Sequence, residues 1–440
     1  MYNLFIPTKK PSQFILYNTL TSAAFVVDTD VKNVLEKSIR NDLSQLKSNE
    51  IDFFKKSGVL VDDHIDERNI VRVKREDARF HKDYIKFVVL TTYACNLACP
   101  YCFEGKGEVH HKAMSEGNVK LFIKFVKNMA LEYNRKTIDV TLFGGEPLLN
   151  KNACLKILDE LFHWCKKNGI KFKPGIITNG TLLTQDIVNR FVKYGVYFIQ
   201  ITLDGPKNIH DKRRIYKDGK GTYEDIIKSL KIVKKSGIPI QLLVNVDKNN
   251  WKSIEKLFDD LIDEDLGGIV LPIEPVYNVT DACAGYSSLC FRSEEIKDVI
   301  PKLQRLAYEK GFVVPLAPNS FPLWCGTEFR FSFVVDSFCD IYKCVSFLGD
   351  KKHRIGSIGK DGMITDVEYP FYDLMSRDPL SFELCRDCKL LPICGGGCSA
   401  LAFINKGTYH AENCLRIQGL HERLLLYLED QFPEQFNDGR

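Results

Sequence analysis

From residue 85 the chain alternates apolar β-type runs with amphipathic helical stretches, and no other feature restricts its fold as much. The runs are "IKFVVLTT", "TIDVTLFGG", "FKPGIIT", "VYFIQITLDG", "IPIQLLVNV" and "GGIVLPIEP". Between them lie "EGNVKLFIKFVKNMALEYN", "KNACLKILDELFHWCKKNG", "LLTQDIVNRFVKYG", "YEDIIKSLKIVKKSG" and "SIEKLFDDLIDED". Strands joined through helices pair in parallel, with the helices packed outside the sheet. The expected α/β fold fits an incomplete (β/α)6 TIM-type barrel over residues 85–312 better than an open sheet, which alternation alone does not separate from it, and in either case chemistry is expected where the strands end.

Residues 1–75 read as a small separate domain. "QFILYN" and "SAAFVVD" are strands, Asp30 caps a helix through "VKNVLEKSI", and Gly58 closes a second helix, "EIDFFKKSG". With "VLVDD" as a further strand the pattern is winged-helix-like, and the charged residues 68–84 read as a linker. The 61 basic and 57 acidic residues nearly balance, which gives no reason to expect a nucleic acid partner. No stretch has the length of a membrane span or the pattern of a signal peptide, so the expected location is cytoplasmic, with no membrane partner.

Cysteine is the outlier, with fifteen residues in 440. In a cytosolic chain clustered thiols hold metal or do chemistry. Cys95, Cys99 and Cys102 follow the first barrel strand in the order CxxxCxxC. At this cysteine frequency such a run arises by chance roughly 0.02 times per chain. Cys385, Cys388, Cys394 and Cys398 form CxxCxxxxxCxxxC, with roughly 0.0006 chance occurrences, and Cys414 follows. Residues 313–440 are too poor in apolar residues around these thiols to pack alone, so a cofactor has to replace the missing core. A [4Fe–4S] cluster takes four thiolates, so three leave one iron open; zinc held by three or four thiols is the competing reading. Cys154 and Cys165, on a helical stretch, are expected in the core, and Cys283 and Cys290 as unligated loop thiols.

The CxxxCxΦC order, with Tyr101 as the aromatic, resembles the signature of the radical S-adenosylmethionine (SAM) superfamily. In that family the open iron chelates SAM, and its reductive cleavage gives a 5′-deoxyadenosyl radical. The resemblance makes Cys95, Cys99 and Cys102 ligands of the SAM cluster. It extends to "GGEP" (Gly144, Gly145, Glu146) after the second strand, where the amino group of SAM is held, and an acidic side chain suits an ammonium. It also covers "TNG" (Thr178, Asn179) and "ITLDGPKNIHDKRR", with Thr202 near the ribose and Arg214 near the carboxylate or ribose. Asn245 is a weaker member of the same pocket.

The later cysteines resemble the SPASM extension, which binds two auxiliary [4Fe–4S] clusters, for three clusters in all. By that resemblance Cys325, Cys344 and Cys398 hold the first, and Cys385, Cys388, Cys394 and Cys414 the second. Cys339 stands where the family has a turn glycine, and either takes that turn or supplies a fourth ligand to the first auxiliary cluster. Enzymes of this type modify peptides, with a flavodoxin- or ferredoxin-type reductant as electron donor. The N-terminal domain resembles the leader-recognition module of maturases acting on ribosomal precursor peptides. Such a module binds the leader as an added strand. The expected product is a cross-linked peptide, with a cysteine thioether ahead of a carbon–carbon link. The alternative is an anaerobic sulfatase-maturating (formylglycine-generating) enzyme. That branch places an aspartate after the Cys344 position; here Val345 stands there, with Asp340 nearby. A non-catalytic iron–sulfur electron carrier is the reading from another class.

Overall fold

The computed structural model describes residues 1–37, 43–105, 112–315, 323, 325–414 and 420–436. The chain forms two compact units. One comprises Met1–Phe80, Leu316–Phe329 and Arg377–Arg440; the other comprises His81–Pro315 and Arg330–Ser376. Thus residues 330–376 belong with the barrel strands, while the last cysteine-rich stretch belongs with the N-terminal residues.

In the first unit, β1 (Asn3–Pro7), β2 (Gln13–Asn18) and β3 (Ala24–Asp28) form an antiparallel sheet in the order β1-β2-β3. Helices α1 (Thr29–Lys37) and α2 (Ser48–Lys56) cover one face through Leu16, Val27, Val34, Leu35 and Phe54. The other face packs Ile6, Ile15 and Tyr17 against Leu424 and Leu428 of the C-terminal helix Leu420–Gln431.

Two expectations for this region are corrected. "VLVDD" is not a strand: Val59 and Leu60 are buried core residues on irregular backbone. The expected linker is largely α3 (Glu67–Arg79), N-capped by Asp66. Its buried face is Glu67, Val71, Arg75 and Arg79, so three of its four inward positions are charged and the apolar stripe that announces a helix is missing.

In the second unit the six expected strands are present. They are β4 (Tyr84–Leu90), β5 (Thr137–Phe143), β6 (Lys171–Ile177), β7 (Phe198–Thr202), β8 (Ile240–Val246) and β9 (Ile273–Pro275), parallel and in sequence order. Helices α4 (Glu116–Glu132), α5 (Lys151–Lys167), α6 (Gln185–Lys193), α7 (Lys207–Arg213), α8 (Tyr223–Ser236) and α9 (Ile254–Asp263) connect them. This is the partial TIM-type barrel.

The sheet continues beyond the point where the sequence alternation stops. β10 (Ser332–Val335) pairs in parallel with the free side of β4, and β11 (Asp340–Tyr342), β12 (Gly356–Ile358) and β13 (Ile364–Thr365) follow as an antiparallel meander. Phe333 of β10 lies opposite Phe87 of β4, their rings stacked 5.7 Å apart, and Phe122 and Phe125 of α4 pack edge-on against Phe87. Such aromatic pairs add about 0.5–1.5 kcal/mol each beyond the area they bury. No helix among the described residues is long and apolar enough to cross a membrane.

The second face of the N-terminal sheet rests on the C-terminal helix, which gives a direct test. Leu428→Ala is expected to destabilise the first unit by about 2–5 kcal/mol. Denaturant unfolding followed by limited proteolysis reads this as early release of both ends of the chain.

Candidate functional site

The site is built where β4, β5, β6 and β7 end. After β4 the chain turns through Thr92, Tyr93 and Ala94 into Cys95. The end of β5 is bound to that turn: Gly145 N donates to Thr92 O at 3.0 Å, and Glu146 N donates to Ala94 O at 2.9 Å. The approach leaves no room for side chains. A Cβ on Gly145 would stand 2.6 Å from Tyr93 O and 2.7 Å from Ala94 O, and one on Gly144 would stand 2.5 Å from Thr92 O. The glycine pair is thus required by backbone contact with the cysteine loop.

Glu146, whose acidic side chain is expected to suit an ammonium, sits among protein donors. Its carboxylate is buried and already accepts three kinds of donor: Leu148 N at 3.0 Å, Thr178 Oγ1 at 2.8 Å and Asn179 N at 2.7 Å. It ties the end of β5 to the end of β6. Asn179 in turn aims its Nδ2 at Asn96 Oδ1, 2.9 Å away, and lies 3.9 Å from Cys95 Sγ.

Cys99 is buried, Cys95 and Cys102 are half-buried, and none of the three is in a disulfide. Burial pushes the Cys95 thiol up to about 12, with Glu146, Cys99 and Cys102 adding to the effect against a hydrogen bond from Leu97 N. Burial raises Cys99 as well, opposed most by Arg214. Such thiols ionise at neutral pH only on binding a cation.

Past β7 a network of ions closes the mouth. Tyr101 OH donates to Asp204 Oδ2 and accepts from Arg214 Nη1 at 3.0 Å. Arg213 Nη1 pairs with Asp247 and donates to Tyr286 OH at 2.9 Å; Tyr286 OH donates to Asp247 Oδ2 at 2.7 Å. Thr202, at the end of β7, is buried, and Asn245 donates its backbone N–H to Asp204 Oδ1 at 3.1 Å.

Sequence reasoning missed Asp204, Arg213, Asp247 and Tyr286. The first two lay inside a quoted motif; Tyr286 comes from an irregular loop with no local signal. Also unforeseen is Tyr93 OH donating to Asp336 Oδ2 at 3.0 Å, which pins the cysteine loop to the turn after β10.

Buried polar atoms without a hydrogen-bond partner here include Arg213 Nε, Arg214 Nε and Glu104 Oε1. The Arg214 cation beside the Cys99 thiol suits the carboxylate of an amino-acid head group. The three thiols, the glycine cradle and Arg214 fit an iron–sulfur cluster with bound SAM. Among the described residues, no three His, Cys, Asp or Glu side chains are placed to hold a single metal ion.

The auxiliary cysteines are distributed over both units. Cys385, Cys388, Cys394 and Cys414 lie together in the first; burial pushes Cys385 and Cys394 up to about 12, and the other thiols of the set add to it. Gly395, Gly396 and Gly397 all adopt left-handed backbone (φ 62°, 82° and 77°), and a Cβ on Gly397 would fall 1.8 Å from Asn413 O. Only glycine permits that loop. Cys325 and Cys398 are in the same unit, Cys339 and Cys344 in the other.

Cys339 adopts φ 69° in the turn between β10 and β11, and its thiol donates to Asn118 O at 3.6 Å. Cys154 and Cys165 are core residues of α5. Cys283 Sγ donates to Asn278 Oδ1 at 3.2 Å, and Cys290 Sγ to Tyr286 O at 3.7 Å.

Residues 89–261 match the family model of the radical SAM superfamily. The chain is 28% identical over 257 residues to the radical SAM cyclopropyl synthase TigE of Paramaledivibacter caminithermalis, covering 52% of each protein. It is 24% identical over 324 residues to a cysteine-type anaerobic sulfatase-maturating enzyme of Clostridium novyi, covering 69% of this chain and 84% of that one. The chain thus spans about half the length of the first relative and most of the second.

Among solved structures, anSMEcpe with bound AdoMet superposes with a TM-score of 0.64 at 19% identity, covering 80% of this chain and 98% of its own. Streptococcus suis SuiB bound to S-adenosylmethionine gives 0.55 at 16% identity, covering 94% and 98%. At these identities the likeness is one of fold.

Gly145→Ala forces the cysteine loop off the end of β5. It is expected to lose the same iron that Cys99→Ala loses and to keep the rest. Metal analysis and the cluster's spectroscopic signal read the difference; full iron with unchanged SAM affinity would contradict the backbone argument.

Proposed function

We propose, from the match of residues 89–261 to the radical SAM family model, that the chain is a peptide maturase that installs a cross-link in a ribosomal precursor peptide. The expected link is a thioether from a cysteine sulfur. The observation that carries this reading is a three-stranded module in the same chain as the cysteine loop, with β3 unpaired on its outer side among the described residues. An open strand edge is suited to receive a leader peptide by strand addition.

When bound, SAM and its cluster supply a radical that takes a hydrogen atom from the peptide, and auxiliary clusters supply an acceptor for the surplus electron. Cys95, Cys99 and Cys102 would hold the SAM cluster. Arg214 would take the carboxylate of SAM, the backbone around Gly144 and Gly145 its amino group, and Thr202 its ribose, with Tyr101, Thr178 and Asn179 completing the pocket. Glu146 would act as a strut between β5 and β6. Cys325, Cys344 and Cys398, with Cys339 as the alternative fourth ligand, would hold one auxiliary cluster. Cys385, Cys388, Cys394 and Cys414 would hold the other, for three in total. A flavodoxin- or ferredoxin-type protein would supply electrons in the cytoplasm.

Sulfatase maturation is the second reading, favoured by the coverage of the Clostridium novyi enzyme. Against it, the residue after Cys344 is Val345, and Asp340 is already engaged, accepting from Arg354 Nη1 at 3.0 Å and Ser357 Oγ at 2.8 Å. A bare electron carrier has no use for the pocket around Arg214.

Anaerobically reconstituted protein is expected to form 5′-deoxyadenosine from SAM under reduction, and Cys99→Ala to abolish this. Mass spectrometry of a precursor peptide encoded beside the gene should show the loss of two hydrogens per link. Cys388→Ala should keep SAM cleavage and lose the link. An aldehyde formed on a sulfatase peptide would decide for the second reading. Leader binding should slow amide exchange in Ala24–Asp28; unchanged exchange with bound leader would remove β3 as the docking strand.

A further inference from the structure

The first unit buries three charged side chains in contact: Arg75 of α3, Glu328 three residues after Cys325, and Arg377. Their exposures are 3%, 1% and 0%. Glu328 accepts from Arg377 Nη1 at 2.9 Å through Oε1, and from Arg75 Nη2 through Oε2.

Arg377 also donates Nε to Tyr409 O at 2.8 Å, Nη1 to Gly395 O at 3.2 Å, and Nη2 to Gly396 O at 2.8 Å and Ala411 O at 3.0 Å. The planar fork of a guanidinium can spend five donors in this way, and an ammonium cannot. It thereby holds the loop between Cys394 and Cys398, the approach to Cys414 and, through Glu328, the turn after Cys325.

The triad itself carries two cations against one carboxylate. Around it, Arg79 of α3 is paired with Glu76 at 2.6 Å, and the half-buried Asp378 carboxylate, which accepts from Leu380 N at 3.0 Å, also acts on Arg75. Burial lowers the pKa of Arg377, and Cys385, Cys394, Cys325 and Cys398 are the groups that most oppose the effect. Burial also brings Arg75 down to about 9, which still leaves it charged at neutral pH. A buried net charge is strongly unfavourable unless an anion lies nearby. Cysteine thiolates bound to an iron–sulfur cluster supply one.

We propose that Arg75, Glu328 and Arg377 form a positioning clamp for the auxiliary cysteines, and that their net positive charge raises the reduction potential of the auxiliary centre, poising it to accept an electron. Net charge and hydrogen bonding near a cluster are among the factors that set its potential. The inference rests on the auxiliary clusters assigned under the proposed function.

The test uses the full chain carrying Cys95, Cys99 and Cys102→Ala, which leaves only auxiliary signals, with iron per chain and a spectroscopic redox titration as readouts. Arg75→Gln keeps a donor for Glu328 and removes one charge. It is expected to retain its iron and shift the oxidised-to-reduced ratio at fixed potential at least tenfold toward oxidised, about 59 mV for one electron.

Full iron with an unmoved ratio overturns the inference. So does an equal shift from Arg386→Gln, where the charge is exposed beside Cys385. Arg377→Lys keeps the charge and loses the fork, so it is expected to lose auxiliary iron; full retention overturns the clamp. A parent protein without auxiliary iron removes the underlying assignment as well, which separates that failure from failure of the triad alone.

Discussion

Two backbone hydrogen bonds, from Gly145 to Thr92 and from Glu146 to Ala94, decide where the first three thiols stand. The loop bearing Cys95, Cys99 and Cys102 leaves the sheet at the end of β4. Without a partner it would have no fixed course. Pairing with the end of β5 gives it one, and the absence of Cβ atoms makes the approach possible. Glu146 extends the restraint to β6 by accepting from Thr178 and Asn179. Tyr101, Asp204 and Arg214 extend it past β7. Four strand ends are thereby locked into one rim. Preorganisation of this kind lets a site bind without first ordering its own loops.

Much of this was legible in the sequence because it is local. Strand alternation, cysteine spacing and the glycine pair are each carried by a few neighbouring residues. What escaped is nonlocal. Helix α3 was hidden because Arg75 and Arg79 face inward, and their burial makes sense only once Glu328, some 250 residues away, is known to meet Arg75. β10 was missed because its reason to join the sheet is the stack of Phe333 on Phe87. "VLVDD" looked like a strand because Val59 and Leu60 are apolar, yet they fill a core from irregular backbone. Tyr286 reaches Arg213 and Asp247 from a loop without any repeat. Glu146 is a further case: its type was evident, and its three donors were not.

The first unit joins two ends of the chain in shared cores. Tyr2 and Val71 pack with Leu380, Phe382, Cys385 and Leu391, while Thr19 Oγ1 donates to Lys389 O at 2.5 Å between Cys388 and Cys394. A cysteine assigned to an auxiliary cluster is thus part of the hydrophobic core that supports the N-terminal sheet. Metal binding and folding are coupled wherever ligands sit within a core. On the proposed function, leader docking and cofactor loading would be two properties of one folding event.

The exposed side of β3 has a cost that follows from its openness. Unsatisfied N–H and C=O groups along Ala24–Asp28 do not discriminate between a leader and any other extended chain, including a second copy of the same strand. Only brevity and the acidic end at Asp28 oppose self-pairing, since Phe25, Val26 and Val27 favour it. Concentrated protein should therefore favour edge-to-edge aggregates, and on the proposed function a docked leader would cap the edge that forms them.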